Sequence, residues 1–248
     1  MTVQLIGPTS WPRLPWAEER AVATGRPELS LRRLGPDACA ARRHRADASL
    51  LLMVDGMMVL SSYRGRERLE RGALAILPTF GAHALRAGPG GAAWLELPWR
   101  TDWSLGATID VPDVDRLLLL AAYNVTVALA EIERIMDCAQ IRQSMRLHWI
   151  DDLRAAMIAD PHLNISSWAK ASRVSREGAA RAFRVAYDIS PARFRLELRA
   201  RNAWARIVSG SDPLSLIALE TGFADQAHMT RSVGWLTGKS PSAWRRSR

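Results

Sequence analysis

Residues 212–236 read DPLSLIALETGFADQAHMTRSVGWL, and this stretch decides the fold of the C-terminal half. Asp212-Pro213 is a helix start signal, because proline is pre-organised for the first helical turn. The pair Gly222-Phe223 predicts a tight turn. A second helix is expected from Asp225 to Leu236. The spacing therefore predicts two helices joined by a tight turn.

The same order of signals occurs once before in the chain. Asn164 is a suitable N-cap for a short helix, and Ser175 caps the helix that follows a brief turn. Ser190-Pro191 then opens a longer helix to Val208, which Gly210 is expected to close in the left-handed conformation. Two helix-turn-helix units thus bracket one long helix, which predicts an all-α domain.

Charge is distributed unevenly along the 248 residues. Residues 1–150 carry 18 basic and 16 acidic side chains, whereas residues 151–248 carry 16 and 9, so the net charges are +2 and +7. Only Lys170 and Lys239 are lysine, and the rest of the basic residues are arginine. Arginine suits bidentate contact with phosphates and guanine edges. For the N-terminal arginines, genome composition is an equally good explanation.

The N-terminal half contains short apolar runs separated by glycine and proline. Asp55-Gly56 joins two such runs and predicts a hairpin turn, because a type I′ turn needs positive φ at both central residues. Residues 73–77 predict another strand. Gly88-Pro89-Gly90-Gly91 is expected to link a third pair, residues 83–86 and 92–97. Several short strands with such turns indicate a small barrel or sandwich.

The stretch Gly72 to His83 resembles the Gly…Pro…His signature of cupin-type barrels. A metal-binding cupin also has a His-x-His pair and a carboxylate, but here His44 stands alone between two arginines, so neither a metal nor a cofactor is expected. His83 is either a turn histidine bonded to the backbone or a residue at the mouth of a ligand pocket. Side chains alternate along a strand, so Trp94 and Glu96 face the same side. The candidate ligand-binding residues are Met53, His83, Trp94 and Glu96, with Met53 and Trp94 also fitting a core.

After Pro112 the apolar pattern becomes helical. A long stripe runs from Val114 to Met136 with spacings of three and four residues. This helix must bury its apolar face against either its own barrel or a second subunit. We therefore assign residues 111–145 to a helical linker or dimerisation segment.

Several classes of protein are excluded. Cys39 and Cys138 stand far apart, so neither a zinc site nor a disulfide framework is indicated. The first eight residues lack the basic-then-apolar order of a signal peptide. The most apolar run, residues 117–130, is too short to span a bilayer. A cytoplasmic protein with no membrane partner is expected.

The C-terminal residues resemble a known family. Residues 217–231, followed by Gly238 to Arg245, look like the C-terminal signature of AraC/XylS-type transcription regulators. The upstream run from Ala169 to Arg199 matches the first half of the same module. The resemblance covers roughly residues 146–248. A cupin-like N-terminal domain with a dimerising helix is the usual companion in that family, and this fits the strands described above.

The resemblance implies that two recognition helices enter successive major-groove segments on one face of double-stranded DNA. Arg181 and Arg231 can each hold a guanine, and Gln226 can hold an adenine. Arg176, Arg184 and Arg245 are expected to clamp phosphates. The implied DNA-binding residues are Arg176, Glu177, Ala180, Arg181, Arg184, Gln226, Ala227, His228, Thr230, Arg231 and Arg245.

The second unit departs from the family pattern. Met229, Val233 and Thr237 stand where the family usually has large aromatic residues, and Gly234 lies within the recognition helix. In the first unit Asp188 stands where a glycine commonly ends the recognition helix. We predict that the first unit carries more of the sequence-specific binding than the second.

The sequence as a whole predicts an α+β protein. It would comprise a cupin-like β-barrel for sensing or dimerisation (residues 1–110), the helical segment (111–145) and a double helix-turn-helix domain (146–248). The leading hypothesis is a bacterial transcription regulator, not an enzyme, that binds DNA as a homodimer. A small-molecule effector in the barrel, and RNA polymerase if the protein is an activator, are further expected partners. The alternatives are a cupin-type enzyme with a basic accessory domain and a non-sensing regulator whose barrel serves protein interaction only.

Overall fold

The chain divides into two compact units, residues 1–145 and 146–248. The structure is a computed structural model, and it describes residues 2–5, 29–99, 106–142, 148–160 and 162–246. Residues 6–8, part of the stretch compared above with a signal peptide, lie outside the described residues. Each unit has its own buried core and is described separately below.

The first unit contains a mixed sheet whose described strands number eight. Their bounds are β1 (Thr2–Leu5), β2 (Ser30–Leu34), β3 (Cys39–His44), β4 (Ser49–Ser62), β5 (Gly65–Glu70), β6 (Ala73–Leu77), β7 (Ala82–Pro98) and β8 (Ala107–Asp110). The strands pair in the order β1-β2-β7-β4-β6-β8, with β3 also on β7 and β5 also on β4. Within the described residues this path does not close, so closure into a cupin-like barrel stays a prediction.

Asp55-Gly56 does not form the predicted hairpin turn. Strand β4 runs straight through both residues, and its pairing with β7 shifts register on either side of them. Gly56 has φ of +70°, and a Cβ there would overlap the carbonyl oxygen of Gly91. The predicted turn needs positive φ at both residues, but only Gly56 has it, and one left-handed glycine is what a β-bulge uses.

Gly88 to Gly91 is likewise a bulge and not a link between two strands, because β7 continues in one direction across it. Strands β2 and β3 run one after the other along β7, and they too are interrupted at this level, where the Asp37 amide donates to the Gly88 carbonyl at 3.0 Å. Three neighbouring strands are therefore interrupted side by side. Bulges in register bend a sheet, since each one increases the local twist.

The sheet has two buried faces. The inner face buries a cluster that includes Leu51, Met53, Met58, Leu69 and Trp94. The other face buries Leu50, Leu52 and Leu95, which pack in one cluster with the helices that follow β8. Consecutive strand residues are apolar and their side chains alternate between the two faces, so both faces are apolar.

The predicted long helix is two helices, α1 (Val114–Tyr123) and α2 (Val125–Cys138). Asn124 is extended (φ −157°, ψ 114°), and its side chain accepts a hydrogen bond from the Thr126 amide as the N-cap of α2. An asparagine competes with helical backbone bonds in this way, so one helix becomes a packed pair. The predicted apolar stripe is largely buried on the sheet.

The second unit contains α3 (Ile150–Ala159), α4 (Ile165–Ala171), α5 (Arg176–Tyr187), α6 (Pro191–Ser209), α7 (Leu214–Glu220), α8 (Gln226–Thr237) and α9 (Pro241–Arg246). The predicted helices are confirmed, with their caps at Asn164, Ser175 and Ser190. Two details are wrong. Gly210 is extended and not left-handed, and Asp212 does not cap α7 but bonds to Arg206. None of the described helices is long and apolar enough to cross a bilayer.

Candidate nucleic-acid interface

The second unit is an internal repeat. Helices α4 and α5 contain 7 and 12 residues, and α7 and α8 have the same two lengths. Ser175 accepts from the Gly178 amide at 2.9 Å, and Asp225 accepts from the His228 amide at 2.6 Å, so both recognition helices begin with a capped turn. Residues of α5 and α8 correspond at a fixed offset of about 50 positions.

The turns of the two helix-turn-helix units are also equivalent. The Val174 amide donates to the Ala169 carbonyl at 3.0 Å, and the Phe223 amide donates to the Ala218 carbonyl at 2.9 Å. Arg173 and Gly222 occupy the left-handed region at φ of +56° and +83°. Gly222 lies against the guanidinium of Arg199, whose Nε would be 2.8 Å from a Cβ at that position. A side chain at Gly222 would therefore combine left-handed strain with displacement of the Arg199 guanidinium.

Helix α6 lies between the two helix-turn-helix units and joins them. Phe194 of α6 packs on Phe183 and Tyr187 of α5, with ring centroids 5.2 and 5.8 Å away, and all three rings are fully buried. The Tyr187 hydroxyl donates to the buried carboxylate of Asp151 at 2.6 Å. On the other side, α8 packs on α6 through buried Met229 and Val233. Both recognition helices are thus fixed to one core.

Helix α5 presents a basic outer face. Ala179, Phe183 and Tyr187 are buried. Arg176, Glu177, Arg181 and Arg184 are exposed, and Ala180 is half-buried. The glutamate lies in the first turn, where an anion is favoured by the helix dipole. This face can therefore bring three guanidinium groups to one anionic surface.

Helix α8 presents a more neutral face. Gln226, Ala227 and Arg231 are exposed, and His228 and Thr230 are half-buried. The His228 ring packs edge-on against Phe223, with centroids 5.2 Å apart and planes at 83°. Arg231 occupies the position equivalent to Arg181, so each unit projects one arginine from the same place on its second helix.

Arg245 differs from the other candidates. Its Nη2 donates to the Asp212 carbonyl just before α7. The equivalent Arg195 donates to the Leu163 carbonyl just before α4 at 2.5 Å. Each guanidinium group thus binds the loop that precedes a helix-turn-helix unit. The predicted contact of Arg245 with a DNA phosphate stays a prediction.

Sequence reasoning missed one pair that holds α8 in place. The guanidinium of Arg193 on α6 stacks over the Trp235 ring on α8, 3.6 Å from its centroid. Such stacking is favourable and restricts both side chains. No spacing within either helix signals it, because the two residues lie on different helices and meet only after they pack.

The candidate ligand residues of the first unit lie on or beside the inner face. Met53 and Trp94 are register partners and are fully buried. Glu96 is also buried and contacts Arg45, Arg32 (3.1 Å) and Arg43 (3.8 Å). Burial alone would raise the pKa of Glu96, but these three guanidinium groups outweigh it and hold the pKa below its ordinary value.

His83 is not a turn residue but lies in β7, opposite Arg43, and is only 3% exposed. Burial, and then the charges of Arg43, Arg45 and Arg42, lower its pKa well below the ordinary value, so the imidazole is neutral. Among the described residues its Nδ1 has no hydrogen-bond partner, and neither does the buried Oγ of Ser49. The described chain has no group of three or more His, Cys, Asp or Glu side chains arranged to hold a metal ion.

Comparison with known proteins agrees with this geometry. Residues 168–247, which run from within α4 to just past the end of α9, match the family model described as a helix-turn-helix domain. Among solved structures, ToxT from Vibrio cholerae has 9% identity and a TM-score of 0.41, over 89% of this chain and 98% of that one. The C-terminal domain of AraT from Geobacillus stearothermophilus has 24% identity and a TM-score of 0.39, over 42% and 89%. An AraC-type regulator from Chromobacterium violaceum has 23% identity and a TM-score of 0.37, over 40% and 89%. A search of curated proteins gave no match.

The C-terminal region is therefore a helix-turn-helix domain. It contains two helix-turn-helix units that share one long helix.

Proposed function

We propose that the protein is a bacterial transcription regulator of the AraC/XylS type that binds specific DNA sequences in the cytoplasm. The observation that carries the proposal is the equivalence of Arg181 and Arg231. Both are exposed at the same position of a capped 12-residue helix, and both helices pack on α6. Two recognition helices on one body can contact one duplex twice.

Each exposed side chain has a proposed role in DNA binding. Arg181 and Arg231 each hold a guanine and Gln226 an adenine, and each such contact is worth roughly 1–3 kcal/mol of base discrimination. Arg176 and Arg184 bind phosphates and set the register. Ala180 and Ala227 face thymine methyl groups, while Glu177, His228 and Thr230 complete the two helix faces.

Selection of bound duplexes from random DNA, followed by affinity measurements with single variants, tests the proposal. Arg184→Ala should weaken binding to all sequences alike and reduce the salt dependence, whereas Arg181→Ala should relax preference at one base pair. Arg68→Ala in the first unit is the matched control, because this exposed arginine pairs only with the surface residue Glu70 in the contacts described. Binding without sequence preference would contradict the proposal.

Of the two helix-turn-helix units, the first (α4 and α5) is proposed to contribute more to specificity. Its recognition helix presents three exposed arginines and is fixed by a cluster of three aromatic rings, whereas α8 presents one arginine and contains Gly234. Arg181→Ala should therefore cost more affinity for the selected sequence than Arg231→Ala. An equal or larger loss from Arg231→Ala would refute this ranking.

We propose that residues 111–145 form the interface of a homodimer. Leu119 and Tyr123 on α1 are 73% and 88% exposed, and Val127 on α2 is 42% exposed, whereas Leu117 and Ile132 of the same helices are buried. Exposed apolar side chains grouped on one helix pair favour an interface. Light scattering should show that Leu119→Glu converts a dimer to a monomer, while Val185→Glu, equally exposed but in the second unit, should leave the dimer intact.

We propose that the inner face of the first unit binds a small effector near Met53, His83, Trp94 and Glu96. The support is that, among the described residues, the buried Nδ1 of His83 and Oγ of Ser49 lack partners, which costs roughly 1–3 kcal/mol each unless a ligand supplies them. Calorimetry against small hydroxy and carboxylate metabolites tests this, with His83→Leu expected to abolish binding. A wild-type protein that binds none of them would instead be a regulator whose first unit serves protein interaction only.

The competing enzyme hypothesis has a separate test. Stoichiometric iron, nickel or manganese in the purified protein, bound near His44 and His83, would favour a cupin-type enzyme. RNA polymerase is the proposed protein partner if the regulator acts as an activator, which depends on the position of its site relative to a promoter.

A further inference from the structure

The end of the first unit is held to the sheet by an unusual number of contacts. Arg142 follows α2 and is the last described residue before the boundary between the two units. Its amide donates to the Thr108 carbonyl of β8 at 2.7 Å, and its carbonyl accepts from Arg64 Nη2 at 2.5 Å. The backbone of this one residue is thus bound on both sides.

Side chains reinforce the attachment. The guanidinium of Arg142 makes a bidentate contact with Asp110, with Nε 2.8 Å from Oδ2. This contact raises the pKa of Arg142. Charge-assisted bidentate pairs have more defined geometry than single hydrogen bonds.

Arg64 is itself fixed before it reaches Arg142. It lies in the turn between β4 and β5, its Nε is 3.0 Å from the carboxylate of Glu67, and its Nη1 donates to the Gly106 carbonyl at 3.4 Å. The Glu67 side chain is 6% exposed. Because its donor is held by a buried carboxylate, the contact to Arg142 is anchored in the sheet and not in a surface loop.

We propose that Arg64, Asp110 and Arg142 form an exit clasp that fixes the point where the chain leaves the first unit and so limits which spacings of DNA half-sites the protein accepts. The inference rests on the proposed function, since it requires a DNA-binding dimer. The three residues are positioning residues and touch no DNA.

The length of chain that the clasp restrains is large enough to matter. Without it, the last residue held by regular structure would be Cys138, four residues before Arg142. Four residues of extended chain add about 14 Å of reach. In a dimer both chains gain this reach, about 28 Å in total, which approaches the helical repeat of roughly 34 Å between half-sites on one face of DNA.

The test uses the full chain and duplexes obtained by selection from random DNA. Affinity is measured for a single half-site, for two half-sites at the selected spacing, and for two half-sites moved apart by half a helical turn. Asp110→Asn and Arg64→Met should leave single-site affinity within about twofold, while the preference for the selected spacing should fall at least about fivefold. The reason is that a longer tether lets the second DNA-binding domain reach more spacings, so its effective concentration at the selected one falls. Hydrogen exchange at residues 139–142 should increase in both variants.

Controls separate the clasp from general effects. Glu70→Gln removes an exposed carboxylate from a surface pair and should change neither spacing preference nor exchange. The double variant Asp110→Arg with Arg142→Asp restores a pair of opposite charges and should recover part of the preference. Unchanged spacing preference in Asp110→Asn and Arg64→Met, together with increased exchange at 139–142, would overturn the proposal. A wild-type protein that fails to bind even a single half-site would instead overturn the proposed function.

Discussion

Gly234 shows how one missing methyl group affects a recognition helix. It lies inside α8 with helical backbone, and a Cβ there would have only the Lys239 carbonyl oxygen within reach, at 4.0 Å. Gly234→Ala should therefore stabilise the second unit by about 0.5–1 kcal/mol, because alanine loses less backbone entropy on folding. Denaturant unfolding of the second unit measures the change.

The matched control for this prediction is the glycine in the first turn of the other recognition helix, α5. A Cβ at Gly178 would lie 2.8 Å from the Ser175 hydroxyl, which caps the helix. Gly178→Ala should disturb the cap and destabilise the unit by about 1 kcal/mol. Stabilisation by both substitutions would contradict the local geometry.

His83 makes stability depend on pH. Its folded-state pKa lies well below the ordinary value near 6.5, so below that pH the unfolded chain binds a proton that the folded chain does not. Stability should be fully present above about pH 7 and fall as the pH drops through 6.5, with a limiting slope of about 1.4 kcal/mol per pH unit. Denaturation midpoints between pH 5 and pH 8 measure this dependence.

The pH dependence should be weaker in a His83→Gln variant. The exposed residue His162 provides a control, since His162→Gln should keep the wild-type profile. A profile unchanged by loss of His83 would show that other groups cause the dependence.

At the scale of elements, the bulges of the first unit decide its shape. Gly56 has positive φ and lies against the Gly91 carbonyl in the neighbouring strand. Gly56→Ala should destabilise the first unit by about 2 kcal/mol, because it combines left-handed strain with overlap against backbone atoms. Gly90→Ala, where nothing lies within 4 Å of a Cβ, should have little effect on the same unfolding transition. Equal effects would rule out the bulge as the reason for glycine at position 56.

Helix starts were predictable from sequence because a cap is a local interaction. Ser175, Ser190 and Asp225 each bond to an amide three residues ahead, so the residue type alone carries the signal. Asp212 shows the limit of this logic. Its carboxylate bonds to Arg206 of the preceding helix, and that competing partner is not visible in the spacing of a start signal.

Strand connections were less predictable because positive φ has more than one use. Asp55-Gly56 and Gly88 to Gly91 fit hairpin turns by composition, yet both lie inside continuous strands. A turn and a bulge both use a left-handed glycine, and the pairing with the partner strand determines which one forms. The exposure of the arginines on α5 and α8 could be predicted, whereas the fixing of Arg245 and the stacking of Arg193 on Trp235 could not, because both join distant segments.

For the whole molecule, two separate cores predict two unfolding transitions. Leu50 is fully buried in the first unit, and Phe194 is fully buried in the second. Leu50→Ala should lower only one transition and Phe194→Ala only the other, each by several kcal/mol. A specific duplex should raise only the transition that Phe194→Ala lowers, since a ligand stabilises the unit that binds it. Scanning calorimetry with and without the duplex measures these three changes, and a single transition shifted by both variants would contradict independent units.

The sequence by itself determined the helices of the second unit, their N-caps at Asn164, Ser175 and Ser190, and the exposure of Arg181 and Arg231. Caps, periodicity and turn residues act over a few positions, so a short stretch of sequence contains these signals. Only the tertiary structure decided that the glycine pairs of the first unit are bulges and that one apolar stripe becomes two helices. It also decided that His83 is buried beside arginines, with no partner for Nδ1 in the part of the chain that the structure describes. These features depend on contacts between segments far apart in the chain. Such contacts form only when the whole sheet or bundle is assembled, so no short stretch of sequence encodes them alone.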